Sequence, residues 1–421
     1  MRDPASGDPE KARWYFGWNI VAAAFAIVLL STGMRLSIGP FFLPMAQDLG
    51  FSRSLLAAIV AAGMLSYGLA MPLAGYLVGR IGTRNVLLLG ITMVAASTAW
   101  MLVARDPLAF GLAFGGLLSI GLAFTSPVAL TPMISRWFNS RRGMALLYLS
   151  TVSMAGMALL TPVLTYLIET LGWRHTMVTF SSTLAACVIL ACWRVIRDEA
   201  PEDADLSSAD RERQSQRAAP IGSRPLTLSE VMVTGPFWKI VLGMFACGFS
   251  MNLLGTHGMP MLMDHGFDAA SSSHGIGLIG FVAIFGTILL GRVADKLARK
   301  NLLALIYAVR GVGFFVLVIV GAHWELYLAA TIGGIVWAGS IALSSAVLAD
   351  VYGIRLVGVL YGLVYVSHQA GGALSSWLGG WGYETLGSHW LAFGGAGALL
   401  MLAAAISYQL PPRGYVLSVA R

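Results

Sequence analysis

The ionisable residues that fall well inside apolar runs of this chain are Arg35, Arg310 and His368, with His257 nearer the outer rim. All 20 Asp and Glu lie in tails, loops or helix ends, and Asp48, Asp264 and Asp350 are helix-end residues. An arginine at the centre of a bilayer costs at least about 2.5–3.5 kcal/mol, so such a residue faces a partner, a cavity or a substrate. Carriers of organic cations need an intramembrane carboxylate, as do many drug/proton exchangers. Cationic donors without an acid favour an anion, whose charge offsets the desolvation of the arginine.

Arg35 leads this set. It lies about 26 Å along its helix from Trp18, within the outer half of a tilted span. Ser31 and Thr32 precede it by a turn and Gly39 follows, giving one small, polar face. A guanidinium there can hold a carboxylate by two parallel hydrogen bonds; the alternative is an arginine that snorkels to the headgroups. His368 shares a face with Tyr361, Tyr365 and Gly372 and is followed by Gln369. It is the proton-coupling candidate, because imidazole titrates near neutral pH, or else a hydrogen-bonded packing histidine. Ser126, among the hydroxyls Ser119, Thr125, Ser340, Ser344 and Ser345, either meets substrate or bonds its own helix. Tyr148 and Trp337 are candidate apolar walls.

These residues are carried by membrane helices. The chain has 421 residues, 57% hydrophobic and only 11% charged, against about 25% charged in soluble domains. Twelve apolar segments can be drawn, near 15–40, 53–78, 85–104, 108–131, 143–168, 173–196, 236–262, 272–294, 301–321, 324–347, 356–383 and 388–410. They predict an all-α polytopic protein. Its expected parts are a cytoplasmic tail over 1–14, a six-helix bundle over 15–196, a polar linker over 197–234, a second bundle over 235–410, and a tail over 411–421. Of the 27 Lys and Arg, only Arg53, Arg105 and Arg174 fall on outer loops and Arg35 and Arg310 within spans. Both termini and the linker are therefore expected in the cytoplasm, the membrane being the bacterial inner membrane. The +7 net charge thus reports topology, not nucleic-acid binding. Neither the mixed-charge first residues nor the three cysteines suggest a cleaved signal peptide, a disulfide framework or a metal site, and no cofactor is expected.

The two halves repeat. Gly75-Tyr-Leu-Val-Gly-Arg-Ile-Gly-Thr-Arg-Asn-Val-Leu matches Gly291-Arg-Val-Ala-Asp-Lys-Leu-Ala-Arg-Lys-Asn-Leu-Leu at an offset of 216. Leu43-Pro44 with Asp48-Leu-Gly-Phe51 matches Met259-Pro260 with Asp264-His-Gly-Phe267 at the same offset. Glu169-Thr-Leu-Gly172 recurs as Glu384-Thr-Leu-Gly387 at 215. Three matches in register imply a parallel duplication. By the 216 offset Asn252 corresponds to Leu36, so Asn252 is expected to face Arg35.

With these loops the chain resembles the major facilitator superfamily over roughly 14–410. The loops at 75–87 and 291–303 are similar to its Gly-x-x-x-Asp-Arg/Lys-x-x-Arg-Arg/Lys signature, with Asp295 in the second copy and Gly79 where the first would have its acid. Within the superfamily it resembles the bacterial branch of the monocarboxylate porters, near the oxalate/formate antiporter group. Tyr15-Phe-Gly-Trp18, Gly33-Met-Arg-Leu-Ser-Ile-Gly39 and Arg136-Trp-Phe-Asn-Ser-Arg-Arg-Gly143 carry that likeness. So do Phe237-Trp238, Cys247-Gly-Phe-Ser-Met-Asn252 with His257, Ala349-Asp-Val-Tyr-Gly353, Gly358-Val-Leu-Tyr-Gly362 and His368-Gln369. The resemblance implies twelve helices in two pseudo-symmetric bundles that rock about a midplane site, with helix eleven beside the cavity and helix nine peripheral. Helix nine carries Arg310, so a structural pairing with backbone carbonyls competes there with a substrate role. Animal porters of this family carry an Asp and an Arg within helix eight; Phe281 to Leu290 has no ionisable residue, so that pair does not carry over.

The resulting expectation is a secondary carrier of a small monocarboxylate-type anion, proton-coupled and monomeric. Arg35, Asn252, His257, His368, Gln369, Tyr365, Ser126, Tyr148 and Arg310 are the candidate substrate residues. Arg80, Arg84, Asp295, Lys296, Arg136, Arg142 and Asp350 are the candidate gate. Rival readings on the same scaffold are an anion exchanger, an exporter of an amphipathic acid and a receptor without flux. An enzyme is disfavoured, since no nucleophile–base pair, metal cluster or nucleotide loop stands at a credible site.

Overall fold

A computed structural model describes residues 15–138, 142–199, 227–294, 296–353 and 356–411, which form helices and connecting turns without a strand. Long helices follow from the apolar runs, because backbone groups in hydrocarbon must bond within their own segment. The first span is α1 (Gly17–Leu36) continued, after a break at Ser37 and Ile38, by α2 (Gly39–Leu49). Pro40 lacks the N–H that would bond the Leu36 carbonyl, so the ladder stops just past Arg35. Then come α3 (Arg53–Ile81), α4 (Thr83–Val103) and α5 (Pro107–Trp137), the last interrupted at Thr125 and Ser126. Helix α6 (Arg142–Arg194) folds back at Gly172, whose φ of 76° suits glycine.

A single turn at Leu228–Met232 precedes α7 (Gly235–Asp264), α8 (Ala269–Ala294) and α9 (Arg299–Ile319). Helix α10 (His323–Tyr352) is broken between Ile335 and Gly339, and α11 (Val357–Leu386) and α12 (Trp390–Tyr408) complete the chain. Ten of these stretches are long and apolar enough to cross a membrane. Dividing α6 at Gly172 and adding α11 gives twelve spans.

The apolar core falls into two clusters, one drawn almost wholly from residues 20–196 and the other from 231–410. The repeat in sequence is a repeat in geometry. Gly50 (φ 66°) and Gly266 (φ 92°) end α2 and α7 in the left-handed region. Phe51 N donates to the Ala46 carbonyl at 3.0 Å, and Phe267 N to the Leu262 carbonyl at 3.1 Å. The expected linker is ordered at both edges. Asp198 accepts from Thr83 N at 2.8 Å, capping α4, and Thr227 opens a capping box with Glu230.

The halves meet closely where α2 passes α7 and where the first arm of α6 lies against α8. A Cβ on Gly39 would come 3.0 Å from the Gly255 carbonyl oxygen, and one on Gly280 would come 2.7 Å from Ala158 N. Near-contact of backbones is how membrane helices gain packing energy without a hydrophobic drive.

Candidate functional site

Arg35 occupies the last turn of α1, where exposed carbonyls favour a cation. Its Nη1 donates to Asn252 Oδ1 at 3.2 Å, across the boundary between the halves. Asn252 is itself oriented: its Nδ2 donates to the Gly248 carbonyl one turn back at 2.8 Å, which turns the amide oxygen toward Arg35. The guanidinium carbon lies 4.6 Å from the ring centroid of Tyr67, a cation–π contact. Arg35 Nε is buried and has no hydrogen-bond partner, so that edge of the fork is uncommitted.

Beside Arg35 opens a small cleft of about 50 Å³ between α1, α3 and α5. Met34, Met64, Phe114, Leu118 and Leu122 line it, with Tyr67 and Ser119 as polar members. On the other side stands α11. The Tyr365 and His368 rings stack at 5.0 Å and 7°, within the electrostatic reach of Arg35. His368 is buried and neither ring nitrogen has a hydrogen-bond partner. Gln369 fills the approach of α3 to α11, against Gly68 next to Tyr67. Ser126 caps the second part of α5 and lies beside Tyr67. The geometry thus gathers Arg35, Asn252, Tyr365, His368, Gln369 and Ser126 around one point. Chemically, this is a single guanidinium with an open edge, an apolar cleft at its side and an imidazole within its field.

Three expected members are placed elsewhere. Arg310 is fully buried but committed: Nη2 donates to the carbonyls of Val336 (3.3 Å) and Trp337 and to Ser340 Oγ (3.2 Å), and Nη1 to Cys247 Sγ at 3.4 Å. It fills the break in α10 and is 4.9 Å from the Trp337 ring. His257 ties α7 to α11, with Nε2 2.6 Å from the Ser376 carbonyl and its ring against Phe42. Tyr148 packs edge-on to Trp18 at 6.1 Å, near the opposite end of α1 from Arg35, and is partly exposed.

Among the described residues, several expected gate residues at the end carrying the termini have partners within their own halves. Arg299 Nη1 meets Asp350 Oδ1 at 2.8 Å, Arg136 donates to the Asp198 carbonyl at 3.4 Å, and Arg80 lies over Tyr76. Arg84 donates from its backbone N–H to Asp198 Oδ2 at 3.5 Å, and Lys296 is exposed. Asp295 and the Arg142 side chain lie outside the described residues.

Sequence reasoning missed Tyr67 and, at the distal end, a cross-half ion pair. Arg53 holds Asp264 through both nitrogens, Nη1 to Oδ2 at 2.5 Å and Nη2 to Oδ1 at 3.0 Å. Ser54 N donates to Glu384 Oε2 at 2.8 Å, and His389 Nε2 lies 3.0 Å from Asp264 Oδ2. Burial, and then the neighbouring His389, push the His265 imidazole below its usual range. The repeat contained the signal, because Asp48 and Asp264 are its matched acids.

Comparison with known proteins agrees with this architecture. The family model described as Major Facilitator Superfamily matches residues 21–322 and 276–418. The chain is 26% identical over 382 residues to the uncharacterized MFS-type transporter YcxA of Bacillus subtilis (strain 168), covering 86% of this chain and 87% of that one. It is 28% identical over 426 residues to monocarboxylate transporter 11 of Homo sapiens, covering 97% and 85%. Its fold is similar to the crystal structure of a D-xylose-proton symporter, with a TM-score of 0.72 at 16% identity over 95% of this chain and 99% of that one. The chain belongs to the major facilitator superfamily and is a multi-pass membrane transporter, not an enzyme.

Proposed function

We propose that this transporter carries a small organic monoanion, with one carboxylate held by Arg35 and the apolar remainder in the adjoining cleft. The observation that carries the reading is the pairing state of the arginines. Both leave Nε unpartnered, but Arg35 has a single side-chain acceptor, Asn252, and borders a cleft, whereas Arg310 is fixed to backbone carbonyls, a hydroxyl and a thiol. One available guanidinium suits one carboxylate, and a small cleft with methionine and phenylalanine walls suits a short apolar tail. The similarity to monocarboxylate transporter 11 points the same way.

Proton coupling runs through His368 in this reading. A proton there adds a second positive charge beside Arg35, which a bound carboxylate's negative charge makes less costly to hold, so anion and proton bind together. Transport proceeds by alternating access between bundles over 15–196 and 235–410, in a monomer with both termini cytoplasmic in a bacterial inner membrane. The Arg53–Asp264 clasp across the halves is that of a state closed at its distal end.

Uptake of labelled acids into proteoliposomes tests this. Monocarboxylates with short apolar tails should enter faster than oxalate or succinate, and faster again with an acidic exterior. Transport of dicarboxylates or organic cations alone would overturn the reading.

A further inference from the structure

The duplication places an acid and a cation at the distal end of each half, and the two copies differ in one chemical respect. In the first half Asp48 pairs with Arg174 and also accepts from Trp173 Nε1 at 3.0 Å. In the second half the matched acid is Asp264, at the offset of 216, and it meets His389 Nε2 at 3.0 Å. Arg174 and His389 are themselves matched, two residues beyond Gly172 and Gly387 at an offset of 215. Both glycines lie at positive φ, 76° and 63°, but with ψ of 160° and 19°, so the two bases correspond in order along the chain while their turns differ.

The first base is a permanent cation and the second is titratable. The half with the titratable base is also the half whose acid reaches across to the other. Arg53, at the start of α3, holds Asp264 by both nitrogens and has no counterpart in the second half, where its matched position is Ala269.

The groups facing His389 are known from each packed element. Asp264 and His265 come from the end of α7, with His257 about two turns back on the same helix, Arg53 from α3, and Tyr383, stacked at 4.3 Å, from α11. Phe393 of α12 is apolar, and Glu384 is occupied by Ser54 N. Because Nε2 faces a carboxylate, a neutral His389 carries its hydrogen there and donates to Asp264. Its Nδ1 is then the vacant lone pair, buried and without a partner.

We propose that His389 is the proton-binding site that unlocks the distal end, its imidazolium taking over Asp264 as Arg174 takes Asp48 and so releasing Arg53. A proton arriving at Nδ1 makes His389 a cation that holds Asp264 within its own half. The same charge repels Arg53 at close range. The cross-half clasp loosens, and the two bundles part at that end. Proton binding from the compartment facing this end thereby favours the state that receives substrate from it, and deprotonation restores the clasp. This site is separate from Arg35 and rests only on the reading that the bundles rock against each other.

The test is a distance across the distal end. Nitroxides on Thr170→Cys and Ala270→Cys, both exposed and near the distal ends of the α6 arm and α8, report separation of the halves in a Cys187→Ser background. Pulsed electron resonance in lipid nanodiscs should show the long-distance population rising at least fivefold from pH 8 to pH 5. His389→Arg should show that population at both pH values, and His389→Gln at neither, with each variant's melting temperature checked against the parent. A parent-like pH response in His389→Gln, or a His389→Arg distance as short as the parent at pH 8, would overturn the proposal. No substrate is added, so failure of carboxylate uptake alongside an intact response here would overturn the substrate reading alone.

Discussion

Arg35 and Arg310 are both arginines inside apolar helices, and they end in opposite situations. Arg310 reaches from α9 to the break in α10 and donates to two carbonyls that the interrupted helix leaves free. Its donors replace the missing ladder bonds, and the Cys247 thiol and Ser340 hydroxyl complete its surroundings. Arg35 has one side-chain acceptor, Asn252, and an aromatic ring beneath it, and it borders open space. Burial of a charge therefore does not mark a binding site; the identity of its partners does. Carbonyl partners make a structural arginine, and an open edge beside a cleft makes a candidate for an external anion.

The contrast breaks most visibly at Arg310. Arg310→Leu orphans buried carbonyls at about 1–3 kcal/mol each, so folded yield and melting temperature should fall well below the parent. Arg35→Lys should leave the melting temperature within a few degrees. It should lower monocarboxylate uptake by about tenfold, because an ammonium cannot form the two-pronged contact. Equal thermal loss in both variants would erase the distinction. Asn252→Ala frees Nη1 and removes one orienting hydrogen bond, and uptake at low substrate should drop by about fivefold. Tyr148→Ala should change uptake by less than about twofold, since the ring packs on Trp18 and is far from the cleft. A large effect there would extend the site toward the end carrying the termini.

Much of this arrangement is legible in the sequence. Hydropathy and loop charge define twelve spans, and the 216-residue offset aligns Asn252 with the Arg35 region, where the structure joins their side chains. Position along a helix is legible because rise per residue is fixed, which is how Arg310 reads as mid-membrane. What the sequence does not convey is the direction in which a side chain points once helices bend and break. The α10 break that captures Arg310 has no proline to announce it. His257 turns to the Ser376 carbonyl of α11, a partner more than a hundred residues away. The distal cluster of Arg53, Asp264 and His389 escapes for a related reason: each is a helix-end residue that reads as topology until three separate turns bring them together. Gly79, standing where the loop signature has its acid, has a different remedy, since Asp198 from the far side of α6 caps α4 beside it.

The central claim is that Arg35 binds the carboxylate of the substrate. The most direct measurement is uptake of a labelled short-chain monocarboxylate into proteoliposomes by the parent and by Arg35→Gln, with an acidic exterior and with melting temperatures recorded. The account predicts a parent-like melting temperature and a loss of uptake of at least about 100-fold, the effect of removing two charge-assisted hydrogen bonds. Uptake by a folded Arg35→Gln at the parent rate would contradict it.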